Sequence, residues 1–137
     1  MKIATLIARL LLGLVFTVFG LNGFLNFVPP QPMPPLALQF LGTLVQSHYA
    51  SAVFVLEIVA GVLLLANRFL PLALTLLGPV IVNIILFHVT MAPSGLPIAI
   101  LVAVLWLVVA YRIRPAFRNQ GTAGAHRPTV VRYRSPR

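Results

Sequence analysis

One acidic residue, Glu57, stands in the whole chain, inside the apolar run ASAVFVLEIVAGVLLLA at 50–66. A carboxyl group near the middle of a lipid-spanning helix is disfavoured by roughly 3 kcal/mol on insertion scales, so it should face other helices and hold a partner. The candidate partner is Arg9, the only charge in the apolar run 3–27. At about 1.5 Å of rise per residue, Arg9 lies about 9 Å from the start of the first helix and Glu57 about 13 Å from the end of the second. Those depths differ by less than the reach of an arginine. Gly13, one turn after Arg9 on the same face, would admit a close neighbour, so the spacing predicts an interhelical Arg9–Glu57 ion pair. The pair has two readings: a clasp that fixes helix register, or a proton-handling or ligand site of the kind that intramembrane ionisable residues often mark.

A second set of polar residues falls toward the opposite face. Asn22 and Asn26 are one turn apart on the first helix, Asn83 and His88 lie on the third, and His48 and Tyr49 precede the second. Five positions separate Asn83 from His88, about 140° around a helix, so both reach one ligand only if Pro79 or a local bulge reorients them. A cavity lined by His88, His48, Asn22 and Asn26 would suit a quinone headgroup or another small polar molecule; alternatively, each side chain is satisfied by a neighbouring helix. Two histidines without a third ligand do not make the usual catalytic zinc site, and no metal is expected. The absence of cysteine excludes disulfides, thiolate metal sites and thiol redox chemistry within the chain. With no Asp, no phosphate loop, no nucleophile elbow and no HExxH, the sequence gives no support to hydrolytic or nucleotide-dependent mechanisms.

Positioning these residues falls to strongly apolar elements. Of 137 residues, 60% are hydrophobic and 8% charged, against roughly 45–50% apolar in a soluble domain. The pattern predicts an all-α, integral membrane, antiparallel four-helix bundle at 1–113, with spans at about 3–27, 50–66, 69–91 and 96–113. The first run is too long for a signal peptide, and no A-x-A cleavage site follows it. The connector VPPQPMPP at 28–35 must be extended, because each proline removes an amide donor and restricts its predecessor. Residues 36–49 show a modestly amphipathic helical spacing, expected as a connecting helix that lies on the membrane surface or extends the next span. Pro79 should kink the third span, and Trp106 and Tyr111 fall toward the end of the fourth. Gly13 and Thr17 share a face and predict a small-residue seam, to which Gly20, Gly23, Ala60 and Gly61 add contact surface.

Charge sets the orientation. Lys2, Arg68 and the arginines of the 114–137 tail fall on one side, whereas 28–49 and 90–97 contain no Lys or Arg. The positive-inside rule then makes both termini cytoplasmic. The net charge of +9 does not indicate a nucleic-acid partner, since seven of the ten basic residues lie from Arg112 onward, at or beyond the end of the last apolar run. They read as an orientation signal and a contact for anionic lipid headgroups, on a tail expected to be disordered.

The residues Arg9-Leu10-Leu11-Leu12-Gly13 with Phe16 and Phe19-Gly20, then Leu56-Glu57 with Gly61 and Leu63-Leu64-Leu65, then Asn83 and Phe87-His88 form a pattern. It resembles the DoxX family of small four-helix bacterial membrane proteins, over about 3–113. The resemblance implies a multi-pass protein of the bacterial cytoplasmic membrane. It also implies a link to quinone-dependent oxidoreductase systems, with a soluble redox partner or self-association, and a shared site at Arg9, Glu57, Asn83 and His88. With Asn22 added from the reading of the outer end, these are the candidate ligand-binding or proton-handling residues, with a quinone as candidate cofactor. A non-enzymatic scaffold that docks a soluble partner through the tail is the competing function; a small transporter is a third.

Overall fold

The computed structural model describes residues 2–120. They form five α-helices and one 3-10 turn: α1 (Lys2–Leu25), α2 (Pro35–Gln46), α3 (Tyr49–Leu65), α4 (Leu70–Thr90), the turn Pro93–Gly95 and α5 (Leu96–Gln120). No strand occurs among the described residues. Three stretches, Lys2–Leu25, Leu70–Thr90 and Pro93–Pro115, are long and apolar enough to cross a membrane. α2 and α3 together meet the same test but are bent by 85° at their junction.

Local chemistry sets each boundary. α1 stops before 27 because Asn26 takes a left-handed conformation (φ 49°) and the Asn22 side-chain oxygen accepts the Val28 amide at 2.7 Å. The prolines that follow cannot resume a helix. α2 begins with Pro35 in its first turn, where the missing amide has no helical partner to lose. His48, at φ 60°, turns the chain sharply into α3, so 36–49 is a separate helix rather than an outward extension of the second span. Two further left-handed residues, Asn67 and Phe69, make the α3–α4 corner. α5, the expected fourth span, passes 113 and runs to Gln120, so the first part of the tail expected to be disordered is helical. The remainder of that tail lies outside the described residues.

α1 packs on α3, α3 on α4, α4 on α5, and α5 returns to α1. The interior is filled by Leu12 and Phe16 of α1, Ala60 and Leu64 of α3, Leu74 and Leu77 of α4, and Val109 of α5. Large apolar side chains such as Leu14, Phe19, Val82, Leu86, Leu101 and Leu107 stay exposed. A helix that is apolar all round needs lipid or protein on its outer side as well.

The tightest contact is the α1–α3 seam. A Cβ placed on Gly13 would lie 3.0 Å from the Gly61 carbonyl oxygen, and one on Gly20 would lie 2.9 Å from the Phe54 carbonyl oxygen. Residue numbers rise along α1 as they fall along α3, so these two helices are antiparallel. Thr17 fits between them because its hydroxyl donates to the Gly13 carbonyl at 2.7 Å, leaving no polar group to satisfy elsewhere. The expected small-residue seam is present and extends to Gly20 and Gly23.

Candidate functional site

Glu57 lies on the inward stripe of α3 with Ala50, Ala60, Gly61 and Leu64, and only 8% of its surface is exposed. Across the seam it faces Gly20, whose missing side chain leaves room for the glutamate: a Cβ there would sit 3.1 Å from Glu57 Cβ. Among the described residues Glu57 has no hydrogen-bond or ion-pair partner, and its carboxylate oxygens are not completely enclosed. Removal from water disfavours a lone carboxylate strongly, and a bound proton, a cation or a ligand donor must offset that cost.

The predicted Arg9–Glu57 ion pair does not form. Arg9 instead donates from Nη1 to the Leu64 carbonyl, with a longer contact of 3.4 Å to Leu65 O. Leu64 lies seven residues, about 10 Å, beyond Glu57 along α3. The carbonyls of the last turn of a helix lack intrahelical donors and carry the negative end of its dipole. A guanidinium one turn before Gly13 therefore finds acceptors at the end of α3, where Gly13 meets Leu65. Comparing depths alone overlooked these backbone acceptors. Arg9 thus caps α3 from a neighbouring helix, and Glu57 is left without a cation.

The other candidates each take a local partner rather than converging. Asn83 is exposed, and its amide donates back to the Pro79 carbonyl at 3.0 Å on its own helix. His88 is half-buried, with Nδ1 2.7 Å from the Ile84 carbonyl, and since a carbonyl oxygen only accepts, Nδ1 is the donor. The ring packs against Gly95 and stands edge-on to Phe87. Asn22 is spent on the Val28 amide. His48 is exposed at the α2–α3 corner, and Asn26 is exposed at the end of α1. Among the described residues no three metal-ligating side chains cluster, so the structure offers no metal centre there.

Two features escaped the pattern of polar residues. Trp106 is not only an end-of-span residue: its indole N–H donates to the Leu74 carbonyl at 3.0 Å, tying α5 to α4. No pattern in the sequence marks Leu74 as the acceptor; the only signal was the single tryptophan itself, whose indole N–H needs a partner away from water. Beside it, Gly78, Ile81, Val82, Ile85, Ala103, Trp106 and Leu107 line an apolar groove of about 300 Å³ between α4 and α5. With the indole N–H already bonded, this groove suits a hydrocarbon chain and offers nothing to a polar headgroup. At the far end of α4, Phe87 stacks on Phe40 of α2 with centroids 6.0 Å apart.

Comparison with protein-family models, with characterised proteins and with solved structures returned no match.

Proposed function

We propose that this chain is a DoxX-like, multi-pass protein of the bacterial cytoplasmic membrane: an antiparallel four-helix bundle with both termini cytoplasmic. In this reading it serves as the membrane subunit of a quinone-linked redox system and binds a small hydrophobic ligand among its helices. Glu57 is the group that meets the polar end of the ligand or exchanges a proton with it. The observation that carries the reading is a buried carboxyl group on the inward stripe of α3, opposite Gly20, with its neighbouring arginine committed to backbone carbonyls instead. A structural clasp would have spent the glutamate on a cation. An intramembrane carboxyl group left free of one is a functional candidate.

The groove between α4 and α5 is a separate apolar slot of a size that takes a hydrocarbon chain, and none of its lining comes from the α1–α3 seam that holds Glu57. The test is titration of the purified full-length protein in detergent with decyl-ubiquinone. Glu57→Gln, which keeps the shape and removes the charge, is expected to weaken binding at least several-fold, whereas Asn83→Leu leaves it unchanged. Equal affinity in wild type and Glu57→Gln overturns the assignment.

The competing scaffold function rests on the basic residues after 113. It predicts partner loss on deletion of 119–137 with quinone affinity intact.

A further inference from the structure

We infer that α2 is an interfacial helix, immersed along its length in the outer leaflet of the bilayer and held there by uncharged, apolar contact with lipid. The inference rests on the membrane-spanning reading above and adds a lipid-contact surface to it. Three observations carry it.

The first is depth. α3 has 17 residues, about 26 Å at the helical rise, while the hydrocarbon core is about 30 Å thick. A span that short ends at or just inside the edge of the hydrocarbon, and α2 turns off it by 85° at that level. The helix therefore runs along the boundary and not away from it.

The second is the distribution of side chains around α2. Ala37 and Leu44 face the protein, with Ala37 fully buried. Gln39, Thr43 and Gln46 fall within an arc of about 60° on the far side, roughly 140° from the protein-facing stripe. Between these stripes, both flanks are apolar and uncovered: Leu36 (59% exposed) and Phe40 on one, Leu38 (52%) and Val45 (57%) on the other. The apolar sector is thus wider than the protein covers. A second copy docking on one face would bury one flank; a lipid surface surrounding the bundle covers both.

The third is continuity and charge. Phe40 stacks on Phe87 beside the exposed Leu86 and Val89 of α4, so the uncovered side of α2 continues the lipid-facing surface of that helix. The segment 28–49 carries no Lys, Arg, Asp or Glu, so attraction to anionic headgroups cannot hold it, and apolar burial must.

The chain contains no cysteine, so single substitutions label cleanly. Leu38→Cys, Val45→Cys, Gln39→Cys and Thr43→Cys, with Leu101→Cys on the exposed face of α5 as a reference, would each carry a nitroxide. The full-length protein is reconstituted in uncharged phosphatidylcholine vesicles, and collision with oxygen is compared with collision with a water-soluble nickel chelate. Labels at 38, 45 and 101 are expected to favour oxygen severalfold, with the ratio reversed at 39 and 43. If all four α2 labels favour the nickel chelate while 101 favours oxygen, α2 is a water-exposed linker and the inference falls while the spanning reading stands. Protection of 38 and 45 from both reagents points to a second protein copy and also overturns it. A label at 101 that favours nickel removes the spanning reading and this inference together.

Discussion

Gly61→Ala tests the α1–α3 seam most directly. A Cβ at Gly61 would lie 2.7 Å from the Thr17 backbone nitrogen and 2.8 Å from the Gly13 carbonyl oxygen. Both are backbone atoms of a helix and cannot swing aside, so α1 and α3 must separate. A gap of roughly 0.5–1 Å forfeits a quarter to a half of the dispersion attraction across a contact. In lipid that attraction is most of what joins two apolar helices, because hydrocarbon solvates leucine as well as protein does. Overpacking of this kind costs about 1–3 kcal/mol, offset by up to about 1 kcal/mol from replacing a helical glycine by alanine. The expected net loss is therefore about 0–2 kcal/mol, or about 1–3 kcal/mol relative to a glycine that gains the same alanine offset without the clash. Two other helical glycines serve as references for that offset. A Cβ on Gly42 meets nothing within 4 Å, and one on Gly78 meets only Trp106 at 3.7 Å. Gly42→Ala and Gly78→Ala should accordingly be neutral or stabilising. The assay is unfolding of the full-length protein from mild-detergent micelles by titration with sodium dodecyl sulfate, followed by circular dichroism. A Gly61→Ala protein as stable as Gly42→Ala would show that the helices do not approach as closely as described, and the placement of Glu57 against Gly20 would lose its support.

Three further outcomes follow from the site. In a double-mutant cycle of Arg9→Met and Glu57→Gln on unfolding free energy, the two effects should add to within about 0.5 kcal/mol, as expected for groups without a shared contact; coupling well above that would restore the ion pair. Arg9→Met alone should destabilise by about 1.5–3 kcal/mol, the range for a hydrogen bond to a charged group, measured in the same titration. Trp106→Phe keeps an aromatic ring but removes the donor to Leu74 O and the indole's second ring, and should lower stability by at least about 0.5–1.5 kcal/mol, the hydrogen-bond share; calorimetric scanning in detergent reads it, and an unchanged midpoint would mean that the indole bond contributes nothing net.

Composition and hydropathy alone determined that the chain is helical and apolar enough for several membrane spans, because run length and the near absence of charge are properties of the sequence. The turn at 28–35 was legible for the same reason, since proline acts through its own covalent geometry. The glycine seam was legible in part: Gly13 and Thr17 share a face on any helix, but that Gly61 is the residue opposite them required the packed structure. The partner of Arg9 was not legible. Its acceptors are backbone carbonyls of Leu64 and Leu65, which every residue possesses and no side-chain pattern marks. The cavity imagined from Asn22, His48 and His88 failed for a related reason. Each of these residues lies at or near a helix end or next to an unpaired carbonyl, and whether it turns to a ligand or to the nearest main-chain group depends on distances of a few ångströms. Helical periodicity sets which face a residue occupies. What that face meets depends on how neighbouring helices cross, and only the tertiary structure decides that, so the isolation of Glu57 became visible there alone.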